Sequence, residues 1–185
     1  NQWAAAAKLG KGQYAAIDQN QVVAITTPQD AELQKLSAEL SRTYVAYGAA
    51  GAAHAANQAA QDKNAAAASP PAAASRAVAK ASKLYSNDGW DLVEAQKHGK
   101  KDVAAMDEAE LSEELRAVPK AKREAYVAGK AKERVAIQQR IEAVSRERDA
   151  FIAKKRAEAK PASPSMDDAL VGGMRKEAEA QGFKF

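Results

Sequence analysis

The stretch between Pro119 and Pro161 constrains this chain more than any other part of it. Proline breaks a helix interior, because it lacks an amide hydrogen and clashes with the preceding turn, yet it suits the first helical position. Pro119 therefore starts a helix and Pro161, followed by Pro164, ends it near Lys160. The spacing predicts roughly 40 residues, a rod of about 60 Å at about 1.5 Å per residue. A helix of that length is stabilised mainly by packing an apolar face on partner helices. Val127, Ile137, Ile141, Val144 and Phe151 fall at near-heptad spacing, but Lys130, Arg134 and Arg148 interrupt the seam. This partial pattern favours an intramolecular antiparallel hairpin within residues 107–160 over a long homodimeric zipper.

The same stretch holds the basic excess. From Pro119 to Lys160 there are 13 Lys/Arg against 6 Asp/Glu, while the rest of the chain has 15 against 18, so one segment accounts for the net +4. Glu124, Glu133, Glu142, Glu147 and Asp149 are interleaved with the cations, and Tyr126 and Phe151 are its only aromatics. A solvated face is the plain reading of such a pattern. Electrostatic contact with nucleic acid or an anionic membrane is weaker, since stacking side chains are scarce, and an acidic protein partner is the remaining option.

Upstream, residues 2–9 read as a helix closed by Gly10. Residues 13–17 and 22–25 read as short strands around the polar turn Asp18-Gln19-Asn20. At Thr27-Pro28-Gln29-Asp30 a hydroxyl, a proline and a carboxylate mark a helix start, and Leu33, Leu36 and Leu40 share one face of that helix. Thr43-Tyr44-Val45-Ala46-Tyr47 reads as a further strand ending at Gly48. An alanine-rich helix then runs from 49 to 68 and stops at Ser69-Pro70-Pro71, and a second covers about 73–85. Trp90, Leu92 and Val93 supply bulky anchors, and Leu111, Leu115 and Val118 lie on one face of a helix over 110–118. In the tail, Ser165 can cap a helix carrying Leu170, Val171 and Met174, and the terminal Phe183 and Phe185 are expected to dock on another surface.

The apolar fraction of 46% is largely alanine, with only 3 Phe, 2 Trp and 3 Met, which favours close helix packing over a thick globule. Lacking cysteine, the chain can form neither disulfides nor thiolate metal sites. No apolar run approaches the roughly 20 residues that span a bilayer. The expected fold is mostly α with a small α/β part, divided into residues 1–48, an alanine-rich helical region 49–106, a long charged hairpin or rod 107–160, and a tail 161–185.

Trp3, Gly12-Gln13-Tyr14-Ala15-Ala16-Ile17, Thr27 to Leu33, Leu36 to Leu40 and Thr43 to Gly48 together resemble the closing portion of a bacterial von Willebrand factor type A (VWA) domain. Gln58-x-x-Gln61-Asp62, Arg76 to Tyr85, Trp90-Asp91-Leu92-Val93 and Glu133 to Arg148 resemble the helical extension that a subgroup of these proteins carries. The resemblance implies a partial Rossmann-like sheet remnant followed by long antiparallel helices, with protein binding as the function. It also implies a periplasmic or cell-envelope location. That family holds a metal through an Asp-x-Ser-x-Ser loop, which would lie upstream of residue 1, so no cofactor is expected in this chain. The missing N-terminal half of such a domain is a candidate partner.

No constellation for catalysis stands out. His54 and His98 are far apart and without cysteine support, and Asn87-Asp88-Gly89-x-Asp91 lacks the repeated acidic positions of a calcium loop. Asp107, Glu108, Glu110, Glu113 and Glu114 lack an apolar pocket that would raise a pKa. Gly10-Lys11-Gly12 lacks the spacing of a phosphate loop. The expected function is a non-enzymatic protein-interaction module, with a structural scaffold as the alternative and electrostatic binding through 119–160 as a second. The expected partner-binding residues are Lys154, Lys155, Arg156, Phe183 and Phe185.

Overall fold

A computed structural model describes residues 2–10, 12, 14, 24–159 and 166–183. They fall into two compact units, Thr26–Ala153 and the combination of Asn1–Ile25 with Lys154–Phe185. The chain is mostly helical: α1 (Gln2–Leu9), α2 (Asp30–Ser41), α3 (Gly51–Ala68), α4 (Pro70–Ala81), α5 (Leu92–Lys97), a 3-10 turn (Glu108–Glu110), α6 (Glu113–Arg116), α7 (Lys120–Ala159) and α8 (Met166–Ala180).

The long helix is continuous over its 40 residues. Among the described residues no other helix approaches this length, the next being α3 with 18 residues. The long helix closes two apolar clusters in the Thr26–Ala153 unit. In one, Ile137, Ile141 and Val144 meet Leu33, Leu36 and Leu40 of α2 and Ala74 and Ala77 of α4. Fully buried alanines let α2 and α4 approach closely, which larger side chains would prevent. In the other, Val127 joins Val45, Tyr47, Leu92, Val93, Val103, Met106, Leu111 and Leu115. The boundaries expected at 48 and 106 lie inside this unit, and both clusters draw on residues from either side of them.

The described residues contain no β-ladder, only two isolated antiparallel bridges, Ala46 to Asp91 and Tyr47 to Leu111. The strand expected at 43–47 is extended and pairs with loop backbone: Tyr47 N donates to Trp90 O and Leu92 N to Val45 O. Residues 92 and 113 already begin helices, so pairing cannot lengthen into a sheet. Gly48, with φ of 74°, turns the chain out of this segment, where a side chain would be strained. Of the two earlier expected strands, residues 13, 15–17, 22 and 23 lie outside the described residues, and Ala24 and Ile25 belong to no strand.

Several helix boundaries differ from expectation for local reasons. α4 begins at Pro70, three residues before the expected start, because Ser69 is extended and its hydroxyl accepts from Ala72 N, leaving both prolines in the first turn where no amide is needed. The same helix ends at Ala81, short of Tyr85. The helix expected over 110–118 shrinks to α6, because Ser112 caps it from Leu115 N and Leu111 is held in a bridge.

At the start of α2 the roles are reversed from expectation. Thr27 does not cap; the Asp30 carboxylate accepts from Thr27 N (2.9 Å) and from its hydroxyl (2.9 Å), and Arg148 Nε of α7 donates to the same group at 2.8 Å. Burial pushes the Asp30 carboxyl up, but the Thr27 amide and Arg148 outweigh it and hold the group below the usual carboxylate range. A carboxyl lowered in the folded state contributes stability above its unfolded pKa and loses it as pH falls through the folded value. Asp30→Asn should therefore cost about 1.5–3 kcal/mol at neutral pH. Its urea-unfolding stability should also decline less steeply than the parent's below about pH 4.

In the other unit, α8 ends in a left-handed cap: Gly182 has φ of 89°, Phe183 N donates to Ala178 O and Gly182 N to Glu179 O. The Phe183 side chain is 63% exposed, so this ring does not dock as expected; Phe185 and Ser165 lie outside the described residues. Leu170, Val171 and Met174 are exposed on α8.

Candidate functional site

The unit Thr26–Ala153 contains an open groove of about 970 Å³, near the top of the range of roughly 300–1,000 Å³ usual for ligand pockets. One wall is the end of α4 with residues 82–85, a second is α5 with His98, and the third is α7 from Ala131 to Arg146. Tyr44, in the extended segment after α2, completes the lining.

Two buried cations fix these walls. Arg134, pointing inward from α7 between the two apolar clusters, donates from Nη1 to Asp91 Oδ2 (2.5 Å) and from Nη2 to Asp91 Oδ1 (3.1 Å). Nε also donates to Thr43 Oγ1 (3.0 Å) and Nη2 to Thr43 O (2.7 Å), so all three guanidinium nitrogens are engaged. Asp91 is fully buried and also accepts from Val45 N and Glu94 N, which makes it the N-cap of α5. One ion pair thus ties α7, the 43–47 segment and α5 together. The Arg134 guanidinium lies 4.4 Å from the centre of the Tyr44 ring, which packs on Trp90 at 5.6 Å. Burial raises the Tyr44 phenol above its ordinary pKa, so it faces the groove uncharged.

Lys80 of α4 is 1% exposed. Its ammonium donates to Ser37 Oγ (3.1 Å), Ser41 Oγ (2.7 Å) and the Asp62 carboxylate of α3. Burial lowers its pKa, and Asp62 opposes that shift without cancelling it. Arg76 shares Asp62 at 3.0 Å and donates to Tyr85 Oη, which in turn donates to Gln58 Oε1. This network locks α2, α3 and α4 behind the groove.

The other ionisable groups of the groove are exposed or engaged with near neighbours. Glu94 accepts from Asn87 N, Glu142 pairs with Arg146, and His98 Nδ1 lies 3.0 Å from Asp88 Oδ2. Lys83 and Lys97 are exposed and have no acidic partner among the described residues. Val135 presents an apolar side chain in the groove at 51% exposure.

The groove does not draw on the residues expected to bind partners. Lys154, Lys155 and Arg156 are exposed on the last turns of α7, with Lys155 Nζ 3.0 Å from Glu158. His54 is exposed and stacks on Trp90 at 6.4 Å. Residues 87–91 form a turn in which Asn87 O accepts from both Trp90 N and Asp91 N. The acidic group around 107–114 is split among separate partners: Glu108 with Arg123, Glu110 with Lys101, and Glu114 with the Tyr126 hydroxyl. Among the described residues no three His, Cys, Asp or Glu side chains gather into a metal-binding group.

Comparison of the chain with protein-family models, curated proteins and solved structures gives no match.

Proposed function

We propose that this chain is a non-enzymatic protein-interaction module, the C-terminal part of a VWA-type binding protein whose helical extension makes the contacts. The open groove carries the binding part of this reading. Its walls are held by buried ion pairs behind them, so a partner would meet a preformed surface and spend little of its binding energy on ordering it. The family part is supported by the sequence likeness of Trp3 to Gly48. A Rossmann-like remnant, a periplasmic or cell-envelope location, and the first half of a VWA domain as a partner all belong to that part.

Sequencing the coding DNA ahead of the Asn1 codon tests it. An Asp-x-Ser-x-Ser loop following a strand is expected there, and a segment without one overturns the family assignment. Produced as a separate chain, the segment should co-elute with residues 1–185 in size exclusion; independent migration would remove it as a partner.

The exposed Leu170, Val171 and Met174 of α8 favour a second reading, a scaffold that assembles through this face. Light scattering over a concentration series separates the two: a rising mass supports assembly, and a constant monomer mass removes it. The exposed Lys154, Lys155 and Arg156 give the electrostatic reading its own check. If polyanions bind there, replacing all three with Gln should abolish retention on heparin at low salt, and unchanged retention would remove that site.

A further inference from the structure

We propose that the groove between α4, α5 and α7 binds an acidic peptide segment of a protein partner, seating that segment's apolar side chains on Val78, Ala81 and Val135 and its carboxylates on Lys83 and Lys97. This rests on the reading of the chain as a protein-interaction module and adds the chemistry of what is bound.

Charge complementarity carries the argument. The lining holds Lys80, Lys83, Lys97, Arg134 and Arg146 against Glu94 and Glu142. Lys80 is taken up by Asp62 and Arg134 by Asp91, both partners lying behind the wall, and Arg146 is paired with Glu142. Glu94 is engaged by the Asn87 amide. What the groove offers an incoming group is therefore the pair Lys83 and Lys97, one from the segment after α4 and one from the end of α5, together with an apolar lining.

The apolar lining selects the class of ligand. A phosphate chain gains nothing from valine and alanine, and the aromatic side chains among the described lining residues are Tyr44, Tyr85 and His98, with Tyr85 held by Arg76 and Gln58 and His98 beside Asp88. Stacked bases need more such platforms. A small anion would leave most of a 970 Å³ groove unfilled. A peptide carrying both apolar and acidic side chains uses both features, in the manner of amphipathic segments laid into apolar grooves.

The test is selection of a random dodecapeptide phage library on the full chain, followed by anisotropy titration of the enriched peptides. Sequences rich in Asp and Glu interspersed with apolar residues are expected. Lys83→Glu with Lys97→Glu should weaken them about tenfold or more, and rising salt should weaken them on the parent protein. Val135→Asp, at an exposed position of α7, should weaken them independently of the lysines, and circular dichroism should show all variants folded. Peptides that depend on Val135 but lack an acidic excess would overturn this inference while leaving the groove as a protein-binding surface. No peptide sensitive to Val135→Asp would overturn both. A DNA oligonucleotide that needs Lys83 and Lys97 and displaces the peptides would also overturn it.

Discussion

Arg134→Met is expected to lower the unfolding free energy by about 3–5 kcal/mol, the usual cost of removing one partner from a buried ion pair. The size follows from what is left behind. Asp91 is fully buried, and without the guanidinium only the Val45 and Glu94 amides remain to stabilise its charge. Thr43 O loses its Arg134 donor, and the Tyr44 ring loses the cation stacked on it. For a body of this size, the change is a fall in Tm on the order of 10–20 °C. Adding Asp91→Asn to Arg134→Met should cost less than the two single losses combined, because the second change removes the stranded charge. Urea unfolding of the three variants measures this directly. A loss under about 1 kcal/mol for Arg134→Met, the worth of a surface pair, would mean that Arg134 is not buried as described.

The second large effect is at Ile141. This side chain is 1% exposed and packs with Leu33, Leu36, Leu40, Ala74 and Ala77. Ile141→Ala should cost about 2–5 kcal/mol through lost burial and the cavity left behind. Ile141→Asp should cost more, since the carboxylate would enter an apolar cluster with no cation in it. With total stabilities near 5–15 kcal/mol, the aspartate variant should lose cooperative melting and much of its helicity at ordinary temperature. An unchanged melting temperature would show that Ile141 is not part of a packed seam.

Both residues illustrate how much could be read from the amino-acid order. Proline spacing placed α7 to within a residue or so, and near-heptad spacing picked Val127, Ile137, Ile141 and Val144, which are buried, and Phe151, which is half-buried. The interruptions of that seam were legible as exceptions but not as contacts. Lys130 donates to Arg42 O, Arg134 pairs with Asp91 and Arg148 with Asp30, each partner at least 43 residues away in sequence. Periodicity reports which face is buried; it carries no information about which distant polar group meets a buried cation, because that depends on tertiary geometry. The extended 43–47 segment shows the opposite limit. Its β-branched and aromatic residues are right for a strand, but propensity cannot supply a neighbour, and here the neighbours are helix starts.

The groove was the least legible feature. Lys83, Lys97 and Val135 come from three separate elements, and none belongs to a motif. Val135 did carry a faint signal, as an apolar residue outside the α7 seam beside the buried Arg134. The basic cluster at Lys154 to Arg156 drew attention by charge density alone, and its side chains are solvent-facing. Phe183, expected to dock, follows the left-handed cap at Gly182 and has an exposed side chain.

All of this depends on residues 26–153 being one cooperative body whose clusters are joined through α7 at Arg134. Native-state hydrogen exchange read by mass spectrometry tests that most directly. Peptides covering residues 33–40, 74–81, 92–95 and 137–144 should open with a common free energy, and Arg134→Met should lower all of them together. Separate openings, with the α2 and α4 peptides keeping their protection while 92–95 loses it, would contradict the account.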